Sequence, residues 1–283
     1  MDSTAPWTLE IPELSDRDLS SIARMVYDAC GINLHEGKRA LVAARLQKRL
    51  RHGGFRTFRQ YIRHVRMDVS GHEMTALLDA IATNHTSFFR EPRHFQFFAE
   101  TVLPPLVQRN GPIGIWSAGC STGEEPYTLA MLLLDQLGAA AGQRVRVMAS
   151  DLSTRALATA SAGVYKAARL EELPPGYSKK YFAKGIGSQA GFVRLTPQVR
   201  SLVEFRRVNL LEPADTPMVS QDVIFCRNVM IYFDRAVQQR VIADLERRLA
   251  PGGYLFVSHS ESLGSVDHGL RWVAPSIYQR GRR

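Results

Sequence analysis

Several short stretches of the 283-residue chain gather small, acidic and amide side chains at spacings that can build a ligand site. Ser117-Ala118-Gly119-Cys120-Ser121-Thr122-Gly123-Glu124-Glu125-Pro126-Tyr127 follows a short apolar run and opens an amphipathic one, so it reads as a strand-to-helix turn. Its small residues let a ligand approach the backbone closely. It is not a phosphate loop: it lacks the lysine, and Gly119 and Gly123 are four apart rather than two or five. Two carboxylates at the start of the following helix would repel a pyrophosphate and favour a ligand with a cationic group. Asp151 ends the next apolar run, where a carboxylate can accept hydrogen bonds from both hydroxyls of a ribose. With Ser153 close behind, it reads equally well as a helix cap. Asn209-Leu210 and Cys226-Arg227-Asn228 close two further apolar runs.

These residues need a sheet whose strands end together. The strands drawn from the pattern are Ile113–Ser117, Val145–Ala149, Val203–Val208, Val223–Cys226, Tyr254–Ser258 and a late one at Ile277–Gln279, with helices at about 124–137, 153–162 and 234–249. Alternation of apolar strands with helices predicts a parallel, doubly wound sheet, in which ligands bind at the strands' carboxyl ends. The stretch 174–196, rich in Gly and Pro, breaks the alternation and reads as an inserted hairpin unit or a long connecting loop. Before about residue 82 the chain is all helix: Ser15-Asp16-Arg17-Asp18 caps a first helix, a second runs from Glu36 to Arg51 and stops at His52-Gly53-Gly54, and two more fit 57–65 and 71–82. An adenosyl ligand with a positive charge and no phosphate suggests S-adenosylmethionine.

Longer motifs then carry a resemblance. Asn84-His85-Thr86-Ser87-Phe88-Phe89-Arg90-Glu91, Trp116 through Tyr127, Asn209-Leu210-Leu211-Glu212, Phe225-Cys226-Arg227-Asn228-Val229-Met230-Ile231-Tyr232-Phe233 and Gly253 through Glu261 resemble the chemoreceptor glutamate methyltransferases of bacterial chemotaxis, the CheR type. The resemblance spans nearly the whole chain. It implies an α/β, Rossmann-like S-adenosylmethionine-dependent methyltransferase domain (residues 83–283) with a small inserted β-subdomain at about 174–200, preceded by an all-α N-terminal domain (1–82) that docks the receptor. It implies that Asn84, Thr86, Arg90, Glu125, Asp151, Asn209, Leu210, Arg227 and Asn228 contact S-adenosylmethionine, the product being S-adenosylhomocysteine. Asp151 would hold the ribose. Arg90 would reach the methionine carboxylate or the substrate's, and Tyr232 would lie near the transferred methyl. Glutamate side chains of the chemoreceptor cytoplasmic helical bundle are the implied substrate, and in some members the β-subdomain binds a receptor C-terminal peptide.

The chemistry agrees. A glutamate carboxylate, with a pKa of about 4.3, is already ionised at neutral pH, so no general base, triad or metal is expected. His85, His94 and His259 read as structural. The overall charge of +9 asks for an acidic partner. Most of that net charge lies after residue 82, but the stretch from Lys38 to Arg66 holds ten basic residues and no acidic one. Lys38, Arg45, Lys48, Arg49 and Arg51 are therefore expected to dock a glutamate-rich receptor surface. A nucleic-acid methyltransferase is disfavoured because the basic helix holds no stacking aromatic and the fourth strand is followed by Arg227-Asn228-Val229-Met230 rather than an Asn/Asp-Pro-Pro-aromatic tetrapeptide. A non-catalytic adaptor is disfavoured because the strand-end polar positions are intact. Cys30, Cys120 and Cys226, far apart and without a CxxC, read as reduced thiols. With no basic-apolar leader and no long apolar run, the chain is expected to be cytoplasmic, with no membrane insertion; a monomer is also expected.

Overall fold

A computed structural model describes residues 12–212 and 220–282, and the chain divides into two compact units, Met1–Ala82 and Thr83–Arg283. The first unit is helical, with α1 (Asp16–Cys30), α2 (Arg39–His52), α3 (Phe58–Met67) and α4 (His72–Ile81). Ser15 caps α1: its Oγ accepts from the Asp18 N–H and its hydroxyl donates to the Asp18 carboxylate. The second helix starts later than its sequence pattern suggested, because Glu36–Lys38 forms a 3-10 turn. Leu19, Ile22, Val26, Val42, Leu46, Leu50, Tyr61 and Val65 meet in its core at 0–4 % exposure, which is why the cations between them face outward or sideways.

The second unit opens with α5 (Pro92–Phe97), a π-helical turn and α6 (Leu103–Gln108), a helical stretch absent from the sequence expectation. Its two prolines at 104 and 105 argue against a helix by pattern, yet they occupy the first turn of α6, where the missing N–H costs nothing. There follow β1 (Ile113–Ala118), α7 (Glu124–Leu137), α8 (Ala141–Arg144), β2 (Val145–Asp151) and α9 (Thr154–Ala162). Next come β3 (Val164–Lys166), α10 (Tyr177–Tyr181), β4 (Phe182–Lys184), β5 (Phe192–Leu195), α11 (Pro197–Arg200) and β6 (Val203–Arg207). The chain closes with β7 (Gln221–Phe225), α12 (Arg235–Arg248), β8 (Leu249–Phe256), β9 (Arg271–Ala274) and β10 (Ile277–Gln279).

Seven strands form one sheet in the order β6-β2-β1-β7-β8-β10-β9, with β10 antiparallel to both neighbours and the pairs inward from β6 to β8 parallel. The chain runs outward from β1 through β2 to β6 and returns to β7 on β1's other side. That reversal opens a crevice at the carboxyl ends of β1 and β7. Strand β8 begins before the expected Tyr254 and takes in Pro251-Gly252-Gly253; the β7–β8 register shifts between Gln221 and Val223, and Gly252 takes φ +78.

The three-stranded antiparallel sheet β3-β5-β4 is the small subdomain. It begins earlier than 174, because β3 precedes the Gly/Pro-rich stretch and pairs with β5 beyond it. A strand of three residues leaves too little periodicity to be read. Asp135 of α7 ties this part down, accepting from Tyr181 Oη (2.5 Å), Tyr177 Oη and Lys180 Nζ.

Candidate active site at the carboxyl ends of the strands

The turn after β1 is built by backbone constraints. Gly119 (φ +81) and Gly123 (φ +94) sit in the left-handed region, and a Cβ on either would strike Val229 or Ala160 at 2.4 or 2.8 Å. The Gly119 and Cys120 N–H groups both donate to the Ser150 carbonyl at 2.8 Å, which pulls the turn over the end of β2. Ser121 N–H donates to Asp151 Oδ2 and Ser153 N–H to Oδ1, each at 2.8 Å. Asp151 therefore joins the glycine turn to the start of α9. Ser153 itself caps α9, its Oγ accepting from the Ala156 N–H at 3.2 Å. Ser121 Oγ is buried beside it without a hydrogen-bond partner.

The two carboxylates at the start of α7 are held differently. Glu124 is 1 % exposed, accepts from Thr122 Oγ1 at 2.7 Å and lies 3.9 Å from Arg169, whose Nη1 also donates to the Thr86 carbonyl. Glu125 accepts from Ser117 Oγ at 2.7 Å and from Arg227 Nη1 at 3.0 Å. Burial pushes both carboxyls up, Thr122 working against it at Glu124 and the Arg227 charge at Glu125.

Arg227, 6 % exposed, is the hub. It bridges Glu125 and Glu91 Oε2, each at 3.0 Å, donates to the Arg90 carbonyl and lies over the Phe95 ring. Burial raises the Glu91 carboxyl, but the Arg227 charge, with Ser258 and His94, outweighs it and holds the group below the usual carboxylate range. Next to it, His94 is brought down to about 4, first by burial and then by Arg227, so it is neutral at pH 7. Asn228 takes φ +59, a conformation Asn tolerates, and is fixed on both sides: its N–H donates to Glu261 Oε2 at 2.9 Å and its Nδ2 to Ser258 Oγ at 2.7 Å. Glu261 also accepts from the Met230 and Ser258 N–H groups at 2.8 Å. That clamp sets the 3-10 turn Met230–Tyr232, whose last residue is the half-buried Tyr232.

Asn84 Nδ2 reaches Ser153 Oγ at 3.4 Å, Thr86 is buried, and Arg90 is half-buried with Nη1 on the His85 carbonyl at 2.9 Å. Asn209 Oδ1 accepts from the Leu211 N–H at 3.2 Å, which bends the chain after β6 and leaves Leu210 half-buried. Glu91, Ser258, Glu261 and Arg169 were not foreseen as parts of the site. The first three lie in recognisable motif stretches; Arg169 stands in a stretch with no sequence signal.

The expected docking cations divide in the first unit. Arg49 Nη2 lies 2.6 Å from both Glu73 oxygens and Arg45 donates to the Ile81 carbonyl, so these two stitch α2 to α4. Lys38 is half-buried, whereas Lys48 and Arg51 are exposed. A run of basic residues does not say which neighbour packs against each of them.

Residues 84–277 match the family model described as CheR methyltransferase, SAM binding domain, and residues 17–82 match CheR methyltransferase, all-alpha domain. The chain belongs to the CheR methyltransferase family. It is an S-adenosylmethionine-dependent methyltransferase. This CheR methyltransferase is similar to "Chemotaxis protein methyltransferase 2" of Pseudomonas aeruginosa, at 41 % identity over 92 % of each chain. It is also similar to "Chemotaxis protein methyltransferase" of Salmonella typhimurium, at 40 % identity over 94 % of this chain and 90 % of that one. The "Chemotaxis protein methyltransferase" of Borreliella burgdorferi is 35 % identical over 93 % of this chain and 94 % of its own length. No helix among the described residues of this CheR methyltransferase is long and apolar enough to cross a membrane, and Cys30, Cys120 and Cys226 are buried and free.

Proposed function

We infer that the protein methylates glutamate side chains of the chemoreceptor cytoplasmic helical bundle, giving methyl esters that adapt chemotactic signalling. One observation of the site carries the cofactor reading. Where a nucleotide-binding turn would present a helix N-terminus to phosphates, this turn carries Glu124 and Glu125, both internally bonded, and across it Asp151 ends β2 with the unpartnered Ser121 hydroxyl beside it. That donor set fits a phosphate-free adenosyl group and rejects a pyrophosphate.

S-adenosylmethionine, when bound, supplies a methyl group on a positively charged sulfur. Asp151 is assigned to the ribose, and Asn84, Thr86, Glu125, Asn209, Leu210, Arg227 and Asn228 to the rest of the cofactor. Arg90 uses one nitrogen on the His85 carbonyl, and we assign the rest of its guanidinium to a carboxylate of cofactor or substrate. Tyr232 is assigned to the transfer point, on a turn held by Glu261. Because the substrate carboxylate arrives ionised, these residues need only position it and exclude water.

For the receptor we propose the exposed cations of the helical unit: Lys48 and Arg51 of α2, joined by Arg59, Arg63 and Arg66, which share one exposed face of α3 at i, i+4 and i+7. This α3 face borders a cleft of about 330 Å³ lined also by Arg17 and Met67. We further propose that the β-subdomain can take a receptor C-terminal peptide and that the protein acts as a cytoplasmic monomer. Calorimetric titration tests the cofactor reading: S-adenosylhomocysteine binds and ATP does not. Binding of ATP instead would contradict it.

A further inference from the structure

Among the described residues, four of the buried side-chain polar atoms without a hydrogen bond lie together: Glu91 Oε2, which is ion-paired to Arg227, both ring nitrogens of His94 and Nε of Arg227. Such atoms are costly to bury unless a water or an ion meets them. His94 is 1 % exposed, and its Nδ1 lies 3.2 Å from Glu91 Oε2. The Pro275 carbonyl acts on this ring without reaching hydrogen-bond geometry. The His259 ring lies against it with centroids 4.6 Å apart, and Ser276 Oγ, 3.4 Å from His259 Nδ1, steadies that second ring. One donor atom each from Glu91, His94 and His259 lies within 4.8 Å of the other two.

Two imidazole nitrogens and one carboxylate oxygen are the donor set of zinc and its neighbours, whereas magnesium and calcium take oxygen throughout. The surrounding charge leaves room for a dication: Glu91 and Glu125 share the one guanidinium of Arg227, while Glu261 accepts only from backbone N–H groups. We propose that Glu91, His94 and His259 form a binding site for a zinc-class divalent ion. His94 supplies the buried wall and the exposed His259 the solvent side. An ion there draws Glu91 Oε2 away from Arg227 and so couples metal occupancy to the hub of the cofactor site. A buried water, the competing occupant, would satisfy Glu91 and His94 without His259.

Zinc chloride titrated into the full-length protein against a chromophoric zinc indicator tests this, with His259→Ala as the comparison. The expected result is one zinc per wild-type chain and binding weakened at least about tenfold in the variant, since loss of outer-sphere partners alone has that effect. His259 is exposed, so the metal-free variant keeps the wild-type melting temperature. No zinc taken up by the wild type, or equal affinity in the variant, would overturn the proposal.

Discussion

Arg227 Nη1 lies 3.0 Å from Glu125 Oε2, a pair that fastens the chain after β7 to the first turn of α7. The strands β1 and β7 that lead into these two segments are neighbours in the sheet, so the pair closes the crevice at the point where the topology reverses. Removing the cation leaves Glu125 and Glu91 buried without it. Arg227→Ala is expected to cost about 3–5 kcal/mol of stability and to abolish detectable S-adenosylhomocysteine binding. Thermal melts and calorimetry check this, and an unchanged melting temperature would show that the pair is dispensable.

Asp151 is the most separable cofactor residue. Asp151→Asn keeps an oxygen for one of the two backbone N–H groups but loses the charge that strengthens bonds to hydroxyls. Affinity for S-adenosylhomocysteine should fall roughly 10–100-fold, with a far smaller change in melting temperature. Equal affinity would remove Asp151 from the site.

Glu261 acts through the backbone. Its carboxylate accepts from the N–H groups of Asn228, Met230 and Ser258, all within 2.9 Å. Glu261→Ala strands three donors and is expected to destabilise the protein by on the order of 3 kcal/mol. Turnover should fall with it because Tyr232 sits on the freed turn. A variant with wild-type stability would contradict the clamp.

Arginines on different helices of the helical unit should behave oppositely. Arg49→Glu faces Glu73 with a like charge and is expected to cost about 1–3 kcal/mol. The double variant Arg59→Glu, Arg63→Glu should melt normally and bind S-adenosylhomocysteine normally. Its methylation of receptor fragments should be at least about tenfold slower at low salt, with the gap shrinking as salt is raised. Equal rates at low salt would rule out the α3 face.

Asp68 gives the helical unit a pH signature. Its carboxylate accepts from the Glu73 and Ser70 N–H groups and the Ser70 hydroxyl, and these bonds lower it to about 2. A carboxyl lowered on folding stabilises above its unfolded value of about 3.9, and that contribution fades as pH falls toward the folded value. The melting-temperature gap between wild type and Asp68→Ala should therefore narrow between about pH 6 and about pH 3. A constant gap would contradict the assignment.

Much of this was legible in the sequence because strong local signals coincide with the tertiary need. Ser15, Ser153 and Asp234 cap α1, α9 and α12, and the apolar runs ending at Asp151 and Cys226 are buried strands. What stayed hidden depends on distant partners. Nothing in the spacing of Arg45 and Arg49 reveals that α4 packs beside them, and nothing around Arg169 indicates its approach to Glu124. Strand β3 is short and finds β5 only across the intervening insertion.

The central claim is esterification of receptor glutamates. Tritiated S-adenosylmethionine, offered with receptor cytoplasmic fragments and followed by mild alkali, measures it directly. The expected result is label on the fragments that alkali releases as volatile methanol, and less of that label with Asp151→Asn at limiting S-adenosylmethionine. Base-stable label, or none at all, would contradict it.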